Sequence, residues 1–196
     1  PLLVLQIEND LETVQTIFEK INSTGKPLSA ADLMRNYLLI SKSPTEQQRL
    51  YDNYWVNIET TVGNEFISRL AKNYLVIKTY DDVANEEIYS IFKEYFSNAN
   101  VSHEKILQEL EIYSKYFNWM RNFNSPNKSL NKYIQELNAL KTEDVYPLYL
   151  YLMNKLYDTS EKELVKIFKL LSDFLLRYRI VAPSGGGGAL RAVIQK

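Results

Sequence analysis

The chain has 196 residues, a formal net charge of −1 and 45% hydrophobic residues, a balance that favours folding over disorder and suffices for one sizeable core or two small helical subdomains. It has no cysteine, which excludes disulfides and thiolate metal sites, and no apolar run of membrane-spanning length. It lacks the basic excess of a domain that grips DNA alone, and together these features predict a cytoplasmic protein.

The chain opens on Pro1 followed by an apolar run from Leu2 to Ile7. Neither an initiator Met nor a signal-peptide pattern is there, so the expectation is that upstream sequence has been removed. Residues 2–7 read as a short buried strand, the one strand in an otherwise helical chain, whose pairing partners belong to the missing part. Residues 11–22 read as a helix, with Val14, Ile17, Phe18 and Ile21 at helical spacing. Gly25 suits a left-handed cap after it. Ser29 and Asp32 form a variant capping box that opens a helix to about Ile40. Ser43, Pro44 and Thr45 start a third helix running to about Val62, which Gly63 and Asn64 break. Residues 65–78 and 86–97 are predicted helices, separated by a loop at Asp81 and Asp82. Ser102 caps a longer helix to Phe123, and residues 124–127 break it. A further helix covers 128–140. Pro147 sits in the first turn of the next, where its missing N–H costs little. Ser160 and Glu163 make a capping box that opens a strongly amphipathic helix to about Val181. Residues 183–188 form a Pro- and Gly-rich break, and 189–196 a short last helix. The fold class is thus mainly α, a multi-helix array with one short N-terminal strand.

The inventory offers little catalysis. His103 is the only histidine, so a His-based nucleophilic centre or metal site lacks partners; its place at a helix start reads as a solvated first-turn residue. The carboxylate pairs Asp81–Asp82, Glu86–Glu87 and Glu143–Asp144 could hold Mg²⁺, but all lie at predicted helix entries, where negative charge suits the dipole. The glycines from Gly185 to Gly188 are not followed by the Lys and Ser or Thr of a phosphate loop. Arg177, Arg179 and Arg191 could touch a DNA backbone; surface ion pairing, as of Asp173 with Arg177, is the alternative. The 15 tyrosines fall mostly on apolar helical faces, which favours packing over base stacking.

The densest local pattern runs from Ile17 to Leu39: a helix, a Gly-stopped polar turn holding Asn22, Ser23, Thr24 and Lys26, and a capped second helix. Such a turn could bind a nucleotide or a neighbouring domain, or simply punctuate two helices. Phe18, Asn22, Gly25, Leu28, Asp32, Leu33 and Asn36 match a signature of the GmrSD-type restriction endonuclease family, and the chain resembles that family over nearly its whole length. The resemblance implies that residues 1–42 are the C-terminal end of a ParB-like N-terminal domain and 43–196 a helical connector. It implies a nucleotide-dependent DNA restriction enzyme as the parent, which uses a nucleoside triphosphate and a divalent metal. The upstream Asp-Gly-Gln-Gln-Arg motif and the downstream His-Asn-His nuclease of that family are both absent here. No cofactor and no catalytic residue is therefore expected in this fragment. It would act as a coupler between an upstream nucleotide-binding domain and a downstream nuclease, reaching DNA through the parent, without a membrane and with homo-oligomerisation left open. Phe18, Asn22, Gly25, Lys26, Leu28, Asp32, Leu33 and Asn36 are then the candidates for a nucleotide site or domain interface. The rival expectation is a helical protein-interaction scaffold unrelated to DNA; a stand-alone enzyme is the third.

Overall fold

The computed structural model describes residues 28–40, 43–140 and 143–181, and these are mainly α-helical. No β-strand occurs among the described residues. The expected strand 2–7, helix 11–22, Gly run 185–188 and helix 189–196 lie outside them.

Short polar caps set the starts of four of the described helices. Ser29 opens α1 (Ala30–Leu39) with a complete capping box. Its Oγ accepts from the Asp32 N–H at 3.2 Å, and Asp32 Oδ2 accepts from the Ser29 N–H at 3.3 Å. Both otherwise orphaned donors are thereby satisfied. Ser43 caps α2 (Pro44–Leu50) by accepting from the Glu46 N–H, with Pro44 in the first turn.

The chain does not then run on as one regular helix. Tyr51–Trp55 forms a π-helical turn, with the Val56 N–H bonded to the Tyr51 carbonyl, before α3 (Val56–Val62) resumes. The cause is visible in the apolar spacing. Leu50, Trp55, Ile58 and Val62 are all buried, yet the first interval is five residues rather than three or four. A wide turn absorbs the extra residue and keeps all four on one face. Gly63, at φ 83° and ψ 138°, ends α3 in a conformation that an L residue resists.

α4 (Asn64–Thr79) is buried over most of its circumference, with Leu70, Ala71, Tyr74 and Leu75 nearly inaccessible, and it stops at left-handed Tyr80. A 3-10 turn, Asn85–Glu87, leads into α5 (Ile88–Asn98), which turns Ile88, Phe92 and Phe96 inward. Ser102 caps α6 (His103–Asn122), and Asn127 caps α7 (Lys128–Ala139). α4 and α6 form the centre: α4 packs against α1, α3, α5, α6 and the final helix, and α6 against α1, α3, α4, α7 and the final helix.

The final helix, α8 (Tyr146–Val181), is continuous only in name. Ser160 has φ −154° and ψ 58°. The rings of Tyr149 and Phe168 lie 4.8 Å apart, whereas 19 residues of straight helix would separate them by about 28 Å. The chain therefore reverses at Ser160 into two antiparallel arms, 146–159 and 161–181. Leu164, Phe168 and Leu175 of the second arm are buried, and Ser172 Oγ donates to Glu136 Oε2 of α7 at 2.8 Å. No helix among the described residues is long and apolar enough to cross a membrane.

Candidate functional site

The described part of the signature segment is α1 and its entry. Leu28 is 38% exposed. Leu33 and Asn36 are half-buried. Asp32 closes the capping box and also pairs with Arg35, Oδ1 to Nη2 at 2.9 Å. Phe18, Asn22, Gly25 and Lys26 lie outside the described residues, as do Arg191 and the side chain of Arg179. Arg177 is exposed, and the anticipated ion pair between Asp173 and Arg177 is not formed.

Arg35 carries the link from α1 into the body. Its Nη1 donates to Glu59 Oε1 of α3 at 3.2 Å. The same carboxylate accepts from Trp55 Nε1 at 2.6 Å and from the Tyr51 hydroxyl at 3.2 Å. Tyr51, Trp55 and Glu59 are spaced by four, so the π turn and the first turn of α3 present them together. The Glu59 side chain is only 17% exposed, which makes its three donors matter more than surface contacts would. The Glu59 carboxylate, with a contribution from burial, raises the Tyr51 phenol above its ordinary value and keeps it a donor.

The C-terminal turn of α1 is tied by the single histidine. His103 Nδ1 lies 2.9 Å from the Leu38 carbonyl oxygen. A carbonyl only accepts, so Nδ1 carries the proton and satisfies one of the orphan carbonyls at the C-terminus of α1. The ring packs 5.3 Å from Tyr37. The expectation of a solvated first-turn histidine is thus corrected: His103 is half-buried and pins α6 to α1. Met34 and Leu38, on the same stretch of α1, are fully buried.

A cleft of about 650 Å³ opens at the entry to α1, bounded by Ser29, by Arg69 and Lys72 of α4, by Asp82, and by Asp144 and Pro147 at the start of α8. Lys72 Nζ reaches Asn85 Oδ1 at 3.3 Å, and the Arg69 guanidinium lies 5.2 Å from the Tyr146 ring centre. The lining mixes both signs of charge, and its Ser29 hydroxyl donates to Asp32 Oδ2 at 2.7 Å within the capping box. Among the described residues no group of three or more His, Asp or Glu side chains is arranged to hold a metal ion.

A second polar cluster is internal. The buried Tyr74 hydroxyl donates to Glu109 Oε2 at 2.7 Å, and Lys78 Nζ meets the same oxygen at 2.5 Å. Burial pushes the Glu109 carboxyl up, but the hydrogen bonds from Lys78 and Tyr74 more than reverse this and leave it below the ordinary value. Burial, then the bond to Glu109, pushes the Tyr74 phenol far up. The triad joins α4 to α6.

Sequence reading identified Asp32 but missed Arg35, Glu59, Tyr74 and Glu109. The only local signal was the spacing of Tyr51, Trp55 and Glu59. No family model, curated protein or solved structure matches this chain.

Proposed function

We propose that this chain is the non-catalytic coupling region of a GmrSD-like, nucleotide-dependent DNA restriction endonuclease. One observation carries the reading: α1, which bears Asp32, Leu33 and Asn36, is fastened at two points to the helical body. Arg35 binds Glu59 from the middle of the helix, and His103 binds the Leu38 carbonyl in its C-terminal turn. A displacement arriving at Leu28 from the preceding residues would pass into α3, α4 and α6 rather than dissipate in a loose joint. The nucleoside triphosphate and divalent metal belong to the neighbouring domains, and DNA is met through the parent protein. The test is to read the encoding gene on both sides. An Asp-Gly-Gln-Gln-Arg motif upstream and a His-Asn-His nuclease downstream support the reading; an unrelated context on both sides sinks it.

A second reading, a helical protein-interaction scaffold, is favoured by a different observation. Leu170, Phe174 and Leu176 on the second arm of α8 are each at least half exposed. Binding of duplex DNA that falls steeply with salt would favour the restriction enzyme over the scaffold.

A further inference from the structure

The cleft at the entry to α1 has a polar acceptor that its own residues leave unfilled. Asn73 of α4 lines it and is only 7% exposed. Its Nδ2 donates to the Arg69 carbonyl of the same helix at 2.7 Å, and its Oδ1 accepts no hydrogen bond from a described residue. Among the described residues, the one fully enclosed side-chain polar atom without a partner is the Tyr149 hydroxyl. The Asn73 Oδ1 is therefore reached from the cleft. A nearly buried carboxamide with an open acceptor calls for a donor. The cations beside it on α4 are engaged elsewhere: Lys72 holds Asn85, and the Arg69 guanidinium lies over the Tyr146 ring.

The charges of the lining select the sign of that donor. Glu65, Asp82 and Asp144 stand against Arg69 and Lys72, which leaves one negative charge over. Glu65 and Asp144 are exposed. Neither makes a hydrogen bond or ion pair with a described residue, although Glu65 is close enough to Arg121 to favour its charge. Val76, Ile88 and Pro147 add an apolar wall, which suits a methylene stem beneath a charged head. We propose that this cleft binds a single cation on an aliphatic stem, a guanidinium or primary ammonium, which donates to Asn73 Oδ1 and is balanced by the Glu65 and Asp144 carboxylates. The volume of about 650 Å³ lies in the range of small-ligand sites and holds such a side chain with its own backbone. An arginine or lysine of a partner peptide and a free alkylguanidine share this chemistry. The inference stands apart from the coupling role and does not depend on the family resemblance.

The test titrates the whole chain, labelled with nitrogen-15, with an acetylated and amidated Ala-Arg-Ala tripeptide and with butylguanidinium, each up to about 10 mM. The Asn73 side-chain amide signals report on the cleft. The expected result is a saturable shift of those signals with at least one probe. The tripeptide with neutral citrulline in place of arginine should bind about tenfold more weakly or worse. The double variant Glu65→Gln with Asp144→Asn, at two exposed positions and checked by circular dichroism for unchanged helical content, should lose about tenfold in affinity for the cationic probe. Tighter binding of the tripeptide assigns the site to a peptide partner, and tighter binding of butylguanidinium to a free small cation. No saturable shift from either probe overturns the proposal. So does citrulline peptide that binds as well as the arginine one, or an unchanged affinity in the double variant.

Discussion

Replacing Glu59 tests the joint between α1 and the body. In Glu59→Ala, Trp55 loses the acceptor of its Nε1–H while remaining 1% exposed. An unsatisfied buried donor costs about 1–3 kcal/mol. Arg35 retains Asp32 at 2.9 Å and is 31% exposed, so water replaces the lost bond at a cost of roughly 0.5 kcal/mol. Tyr51 is half-buried and adds a similar amount. The sum is about 3 kcal/mol. Glu59→Gln keeps an acceptor oxygen for Trp55 and should cost only about 1 kcal/mol. Urea unfolding followed by tryptophan fluorescence reads both values. A loss below about 0.5 kcal/mol for Glu59→Ala, or equal losses for the two variants, would refute the reasoning.

Other outcomes follow from the same geometry. The Tyr149 hydroxyl is buried and finds no hydrogen-bond partner among the described residues, so Tyr149→Phe should leave stability unchanged or raise it by about 1 kcal/mol in the same urea assay. Gly63→Ala should cost about 1–3 kcal/mol, because φ is 83°, where an L side chain is strained; the Glu65 carboxylate, 2.9 Å from the added Cβ, can swing aside. Burial raises the Tyr74, Tyr113 and Tyr149 phenols and takes Tyr116 up to about 12. Folded values above the unfolded value of about 10 give stability that is fully present below pH ~10 and lost as pH rises from there toward the folded values. Urea midpoints measured across that range should fall, and fall less for Tyr116→Phe. Glu109 works in the opposite direction. Its lowered folded value gives stability present above the unfolded value of about 4.3 and lost as pH falls through the folded one. Glu109→Gln should flatten the acid limb of the stability profile.

Helix starts were legible where a polar side chain caps them. Ser29, Ser43 and Ser102 are all N-caps in the structure, and the reversal within the last helix falls at Ser160, where a capping sequence stands. The π turn was not legible as such. Its trace is the five-residue interval from Leu50 to Trp55, which becomes meaningful only once both are known to be buried. The ties of α1 were hidden for a different reason. Arg35 and Glu59 are 24 residues apart, and Leu38 and His103 are 65 apart, so no local window holds both partners. His103 at a helix start reads as a solvated residue until the end of α1 is placed beside it.

The coupling claim is tested most directly in the full-length parent protein carrying Arg35→Ala, with nucleotide hydrolysis and DNA cleavage measured on one preparation of unchanged helical content. The account predicts that hydrolysis is kept while cleavage falls by about tenfold or more, the size of a typical coupling free energy. Cleavage that stays in step with hydrolysis, whether both persist or both fall, would contradict it.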